Sequence, residues 1–262
     1  MRVRVNRAGP IGRPVPAVTG ARVTPGRRRP EASWLARFRA VLLDMNGTFM
    51  FGHDRFSHEV DYAATYAALG GTRLSPATVN DVVRTFVAAY GRLYADADPE
   101  AALPSVIDVL RAGNRTIPDE EIAKVEAVIA AHEIGTIPPS HAAALRRLAA
   151  RHRLGVVSNL WSRSGPWHDA FARSGVEELF DVILFSSEHG CIKPAPRLFH
   201  MALDAVRLPP GDVVFIGDDL CRDVAGAQRV GLATVWIGSA HRITGDDPRP
   251  DLVVDDLCDL VI

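Results

Sequence analysis

The run Val41-Leu42-Leu43-Asp44-Met45-Asn46-Gly47-Thr48 constrains this chain more than any other stretch. Three consecutive apolar residues with no polar alternation suit a strand buried on both faces, as in a parallel sheet covered by helices. An aspartate closes the run, and Gly47 permits the sharp turn that follows. A carboxylate is thereby held at the carboxyl end of a strand, the edge on which open α/β sheets bind ligands. Such a carboxylate can serve as nucleophile and metal ligand together. On this stretch alone, an ordinary Asp/Asn/Gly turn competes with that reading.

The rest of the chain supplies the sheet. Apolar runs at 154–157, 182–185, 213–216 and 233–237, with a short one at 252–254, alternate with helical patterns at 141–152, 167–174, 196–206 and 224–230. Ser140 is the expected cap of the first of these helices; Gly175 and Gly231 close the second and fourth. The alternation implies βαβ units and a doubly wound parallel α/β sheet with helices on both faces. Between the first strand and this series the pattern is helical: 58–69, 77–94 behind the Ser75-Pro76 start signal, 104–112, and 118–132 with Asp119, Glu120 and Glu121 in its first turn. No strand signal interrupts them. Residues 55–134 therefore read as an all-helical insert, a small second domain over the strand edge, and 34–54 with 135–262 as the α/β core.

Charge is unevenly spread. Eight arginines and no acid fall in the first thirty residues, and the remaining 22 basic residues against 31 acids give the body −9. An acidic body argues against nucleic acid as a main partner. Residues 1–33, rich in Arg, Pro and Gly and without periodicity, read as a disordered head, with a nucleic-acid arm or targeting segment as the competing reading. No apolar run reaches membrane-spanning length and no signal-peptide pattern follows Met1. Cys191, Cys221 and Cys258 show neither metal-ligand spacing nor a disulfide framework. A cytoplasmic protein, monomer or homodimer, is expected.

Four polar clusters fall just past strands or in a strand-to-helix loop: Asp44 to Thr48, Ser158-Asn159, Lys193-Pro194, and Gly217-Asp218-Asp219 with Asp223. In a parallel sheet they share one edge. Asp44, Asp218 and Asp219 are hard oxygen donors suited to Mg2+. Lys193 carries positive charge for Asp44 and for phosphoryl oxygens. It is one of only two lysines, the other being Lys124, in a chain whose other 28 basic residues are arginine. Ser158 and nearby backbone N–H groups can bind a further phosphoryl oxygen, with Thr48 and Asn159 as additional candidate contacts. Phosphoryl transfer needs such a set: an in-line nucleophile, a divalent cation and donors around the equatorial oxygens. Singly, each cluster has a plain structural alternative, a helix cap for Ser158-Asn159 and for Asp218-Asp219, a loop charge for Lys193.

The order and form of these clusters, over residues 41–238, resemble the haloacid dehalogenase-like hydrolase superfamily. The run Ile192-Lys193-Pro194-Ala195-Pro196-Arg197-Leu198-Phe199 is similar to the third motif of members with a helical cap between the first two motifs. The resemblance implies a Rossmann-like core, a cap that opens and closes over the site, and a small phosphorylated metabolite as substrate. It implies Asp44 as nucleophile, Ser158 and Asn159 as phosphate-binding and substrate-positioning residues, and Lys193 stabilising the charged intermediate. Mg2+ would be held by Asp44, Asp218, Asp219 and the backbone carbonyl of Asn46, with Asp223 placing Lys193.

The chain departs from the family's phosphatases at Asn46, where they carry a second aspartate that protonates the leaving oxygen and later activates water. An amide can orient water but cannot deliver a proton, and general acid–base catalysis contributes roughly 10²- to 10⁴-fold. A substrate with a good leaving group, such as an acyl phosphate, needs no acid; alternatively His53 or Asp54 substitutes. Two further readings stay open, a weakened protein that binds without turnover and a dehalogenase. The family's dehalogenases carry an aromatic residue in place of Asn46 and lack the full acidic fourth motif.

Other residues read as structural. Cys191 and Cys221 are expected to be buried hydrophobes. Trp161, Trp167 and His168 are expected to pack the next helix, with the pocket mouth as the alternative. Tyr62, Tyr66, Phe86 and Tyr90 read as insert core, and Lys124 with Glu121 and Glu126 as a solvated helix face.

Overall fold

The structure, a computed structural model, describes residues 32–261. The head expected over 1–33 thus lies, but for its last two residues, outside the described residues. In chain order the elements are α1 (Ala32–Leu35), β1 (Ala40–Leu43), α2 (Tyr62–Ala68), α3 (Pro76–Ala95), α4 (Val106–Gly113), α5 (Asp119–Glu133), α6 (Pro139–Ala149), β2 (Arg153–Ser158), α7 (Gly165–Arg173), β3 (Phe180–Phe185), α8 (Ser186–His189), α9 (Pro196–Val206), β4 (Val213–Gly217), α10 (Gly226–Arg229), β5 (Ala233–Ile237) and β6 (Leu252–Val254).

All six strands pair in parallel in the order β3-β2-β1-β4-β5-β6. This is the doubly wound, Rossmann-like α/β fold, and its order reverses at β1, so the crevice lies between the ends of β1 and β4. Every residue of β1 is buried, as its unbroken apolar run requires. Successive side chains enter opposite layers. Val41 and Leu43, with Val156, Ile216 and Val235, join a cluster that includes Leu145 and Leu148 of α6 and Trp167 and Phe171 of α7. Ala40, Leu42, Val157 and Phe215 join the opposite cluster with Leu198, Phe199 and Ala202 of α9 and Ala227 of α10.

Between β1 and β2 the chain makes only helices, and their buried faces form a third cluster around Tyr62, Tyr66, Val83, Phe86, Tyr90, Leu110, Val125 and Ile129. Side-chain caps set three starts: Asp61 accepts from Ala63 N–H, Ser75 from Thr78 N–H and Ser105 from Asp108 N–H. The first helix was expected from residue 58. It begins at Tyr62, because Asp61 is the cap and the Tyr62 N–H donates to Asn80 Oδ1 at 2.8 Å. The helix expected from 141 begins at Pro139, a residue pre-set for the first helical position, so Ser140 lies inside the first turn. The segment expected as a helix over 224–230 opens instead as a wide turn, Leu220–Ala225, before α10.

The solvated face expected around Lys124 is not there. Glu121 and Glu126 are both buried. Tyr66 Oη donates to Glu121, which also pairs with Lys124 Nζ at 3.0 Å. Glu126 pairs with Arg163 from the loop after β2.

The two linkers of the insert run side by side. Phe51 and Thr136 exchange backbone hydrogen bonds of 2.9 and 2.8 Å, and Asp54 and Arg55 N–H donate to the carbonyls of Glu133 and His132. The Arg55 guanidinium then donates to the carbonyls of Gly52, Ala131 and Ile134, closing the end of α5. No described helix is long and apolar enough to cross a membrane.

Candidate active site

The carboxyl edge of β1 and β4 opens into a cavity of about 380 Å³ lined by acids, amides, one ammonium and two aromatic rings. Asp44 N–H donates to Ile216 C=O at 2.9 Å, so β1 stays in the ladder up to its aspartate. The Asp44 carboxylate then receives two donors on one oxygen, Ser158 Oγ at 2.9 Å and Lys193 Nζ at 2.5 Å, both on Oδ1. Lys193 Nζ also reaches Asp223 Oδ1 at 2.6 Å. All three ionic side chains are at least nine-tenths buried. Burial opposes the ammonium, but Asp223 and Asp44 outweigh it and hold the Lys193 pKa above its ordinary value.

Asn159 keeps the Lys193 loop in place. Its Oδ1 accepts from Lys193 N–H at 2.8 Å and its Nδ2 donates to Lys193 C=O at 3.2 Å. That amide is thus used on the backbone, while Ser158 is used on Asp44.

Gly47 is required twice over. Its φ of 77° is in the left-handed region, and a Cβ there would stand 2.1 Å from Asp218 Oδ2. Oxygens of Asp44, Asp218 and Asp223 lie within 4.8 Å of one another. Enclosure by the cavity, then repulsion from Asp44 and Asp223, push the Asp218 carboxyl up to about 8. That mutual repulsion among acids is what a bound cation would relieve, and hard oxygen donors fit a divalent ion. Asn46 Oδ1 is a further buried oxygen without a hydrogen-bond partner. The residues present therefore fit magnesium.

Two placements differ from expectation. Thr48 is fully buried, its hydroxyl has no hydrogen-bond partner, and it is not among the cavity-lining residues. Asp219 lines the cavity but spends Oδ1 on the N–H groups of Cys221 and Arg222, both at 2.8 Å, as the cap of the next turn. Asp223 stands with Asp44 and Asp218 instead.

Several lining residues carried no signal in the sequence: Tyr94, Glu133 and Arg222. The Arg222 guanidinium lies 5.0 Å from the Tyr94 ring centre. Trp161, expected to pack the next helix or to line the mouth, lines the cavity and packs instead against the helices between β1 and β2. Its ring meets Phe56, Phe86, Tyr90 and Tyr94 of the insert at centroid distances from 5.3 to 6.5 Å. Trp167 is fully buried, and His168 pairs with Glu177, so both pack. Cys191 is buried and Cys221 exposed, and neither lines the cavity. His53 and Asp54 both line it.

Glu133, the last residue of α5, lines this cavity and accepts from the N–H groups of Trp161 at 2.6 Å and Ser162 at 3.0 Å. Burial pushes its pKa from 4.5 up to about 7 against those donors. Between these values the folded protein holds a proton that the unfolded chain has lost. Unfolding free energy therefore falls as pH rises across the window and levels off above it. Glu133→Gln should remove this slope. In urea unfolding the variant should gain on wild type by roughly 3 kcal/mol from pH 4.5 to 7.5; parallel curves would show Glu133 ionised throughout.

The family model described as haloacid dehalogenase-like hydrolase matches residues 38–231, and the chain belongs to that family of hydrolases. Among curated relatives it is 35% identical over 112 residues to the phosphoserine phosphatase of Thermus thermophilus, covering 42% of this chain and 45% of that protein. It is 29% identical over 129 residues to the pyrimidine 5'-nucleotidase YjjG of Escherichia coli, covering 49% of this chain and 56% of the relative. The chain thus spans about half the length of these relatives. A HAD phosphatase from Thermococcus onnurineus aligns over 85% of this chain and 96% of its own, with a TM-score of 0.53 and 23% identity. A 2-haloacid dehalogenase from Pseudomonas syringae aligns over 85% and 96% with a TM-score of 0.57 and 20% identity. The last two show a shared fold.

Proposed function

We propose that this chain is a cytoplasmic, magnesium-dependent phosphatase that hydrolyses a small phosphorylated metabolite through an aspartyl-phosphate on Asp44, with residues 55–134 as its cap. The observation that carries the reading is Lys193 Nζ held between Asp44 Oδ1 at 2.5 Å and Asp223 Oδ1 at 2.6 Å, beside the Asp218 carboxylate. The phosphatase names of the curated relatives point the same way.

Ser158 and Lys193 both occupy Asp44 Oδ1, which leaves Oδ2 as the attacking oxygen. Attack forms the Oδ2–P bond as the P–O bond to the leaving group breaks and that oxygen keeps the electron pair. Lys193 stays protonated throughout and faces the charge that builds on the phosphoryl oxygens. Magnesium, if held by Asp44, Asp218 and the Asn46 backbone carbonyl, would supply the remaining positive charge, while Asp223 is taken up by Lys193 Nζ and the Asp219 N–H. Water then attacks phosphorus as the Asp44 Oδ2–P bond breaks; the electron pair returns to Asp44, and both protons of the water leave on the phosphate as H2PO4−. Asn46 has no proton to give the departing oxygen, so an acyl phosphate, whose carboxylate leaves unprotonated, is the substrate type that fits best. For a phosphate ester the acid would be His53 or Asp54, both in the cavity wall; burial holds the Asp54 carboxyl above its ordinary value. Trp161, seated among the rings of Phe56, Phe86, Tyr90 and Tyr94, supplies an apolar wall to the cavity.

Acetyl phosphate and p-nitrophenyl phosphate, offered with magnesium and with chelator, test this. Wild type should hydrolyse acetyl phosphate with magnesium only, and Asp44→Asn should lose on the order of 10³-fold or more. Turnover of a haloacid in chelator would instead mark a dehalogenase, and an inert wild type a protein that binds without reacting.

A further inference from the structure

We propose that His141, Asp256 and Cys258 form a second metal site, for a single divalent ion of the zinc type, outside the catalytic cavity. One ring nitrogen of His141, one Asp256 carboxylate oxygen and the Cys258 sulfur lie within 4.8 Å of one another. Zinc bonds of about 2.0 to 2.3 Å place tetrahedral ligand atoms roughly 3.5 Å apart, so side-chain rotation on binding would close the group by up to about 1.3 Å. None of the three residues lines the catalytic cavity.

The two segments meet by the fold. His141 is in the first turn of α6, and Asp256 caps the short helical turn Leu257–Leu260 that follows β6. Both sit on the carboxyl edge of the sheet, beside the insert linkers: the Phe51 ring, whose backbone pairs with Thr136, stands edge-on to the His141 ring at 4.7 Å.

Two of the three donors are already turned for the task; burial and then the hydrogen bond to Asp256 hold the Cys258 thiol up to about 11, so a bound ion would have to draw off its proton. Ser140 Oγ lies 3.2 Å from His141 Nδ1, so Nδ1–H can donate to it and leave the Nε2 lone pair free. His141 is 7% exposed, and Nε2 has no hydrogen-bond partner although Asp256 Oδ2 is 3.3 Å away. A buried nitrogen in that state is costly, and a metal bond would satisfy it. Asp256 divides its oxygens: Oδ1 accepts from Cys258 N–H at 2.7 Å, and Oδ2 faces His141. The Asp256 side chain is 44% exposed, so an ion can reach the group from solvent and a water can complete a tetrahedron.

The donor set selects the ion. Imidazole, thiolate and one carboxylate favour zinc, whereas the all-oxygen cluster at Asp44 favours magnesium. On binding, Cys258 releases its thiol proton to solvent, and thiolate plus carboxylate neutralise the dication. The site would tie the base of α6 to the last turn of the described chain, next to the linkers.

The plain alternative is a His141–Asp256 ion pair with a neighbouring thiol. Cobalt(II) titration of the full chain, stripped of metal, separates the two. Wild type should take up cobalt with a sulfur-to-cobalt charge-transfer band that saturates at one equivalent. Zinc should abolish the band; excess magnesium should not. Asp44→Asn should keep the band, because carboxylates cannot produce it, and Cys258→Ser should lose it. His141→Gln should weaken zinc by at least tenfold, and Ser140→Ala by roughly 10- to 100-fold. Should Cys258→Ser lose its native circular dichroism, Asp256→Asn and His141→Gln carry the same comparison. No charge-transfer band in wild type, or a band that survives in folded Cys258→Ser, would overturn the site.

Discussion

Replacing Lys193 with methionine should destabilise the protein by about 3–5 kcal/mol at neutral pH and abolish turnover. The side chain is 2% exposed, and its ammonium is the charge partner of Asp44 and Asp223, themselves 9% and 2% exposed. Methionine fills nearly the same volume, so packing against Phe215, whose ring lies 5.4 Å from Nζ, is largely retained. What is lost is the positive charge between two buried carboxylates, with Asp218 beside them. A charge left unpartnered in a low-dielectric site costs far more than the pair contributed. The penalty should therefore depend on conditions that neutralise the acids. It should shrink as pH falls toward 5, below the Asp223 carboxyl that burial pushes up to about 6, and shrink again when magnesium is added at pH 7. Urea unfolding of wild type and variant at both pH values, with and without magnesium, measures this. A variant within about 1 kcal/mol of wild type at pH 7 would mean that the acids are relieved by some other route.

The same buried charge cluster shows where sequence reasoning reaches and where it stops. The strand to Leu43 was legible because a strand covered on both faces leaves an unbroken apolar run. Asp44, Ser158, Lys193 and Asp218 were legible as strand-end or loop polar residues, since parallel strands bring their carboxyl ends to one edge. The pairing of Lys193 with Asp44 spans 149 residues, and topology alone brings them together. Asn159 and Asp219 were legible as polar residues in the right place, but not in what they bind: their side chains are taken by backbone N–H groups of Lys193, Cys221 and Arg222. A short side chain near a turn has several backbone partners within reach, and composition does not say which it takes. Tyr94, Glu133 and Arg222 were hidden for a different reason. Tyr94 continues the aromatic face of α3, and Glu133 ends an acidic helix. Only the docking of the helices over the sheet turns them toward the cavity. The burial of Glu121 and Glu126 was hidden likewise, because their partners Tyr66 and Arg163 lie 55 and 37 residues away.

Asn46→Asp should raise turnover of phosphate esters with poor leaving groups by roughly 10²- to 10⁴-fold while changing acetyl phosphate hydrolysis little. The geometry permits the exchange. Asn46 lines the cavity, and its Oδ1 is buried without a hydrogen-bond partner, so the new carboxylate displaces no existing bond of that oxygen. Gly47 follows it in the left-handed region, so the backbone at this turn is set by the glycine and not by residue 46. The added carboxylate would share the cavity with Asp44 and Asp218, and enclosure together with their repulsion would raise its pKa, as burial and then repulsion from Asp44 already do for Asp218. A raised carboxyl is what proton donation near neutral pH requires. The gain should be confined to leaving oxygens that need a proton. The acyl-phosphate rate, limited by attack of Asp44 and by release, has no such need. Steady-state turnover on a series of aryl and alkyl phosphates, plotted against leaving-group pKa, reads this directly. Wild type should show a steep dependence and Asn46→Asp a shallow one. Parallel lines would mean that a resident group, His53 or Asp54, already delivers the proton. A wild type silent across the whole series, switched on only by Asn46→Asp, would mean that the site is complete except for its acid.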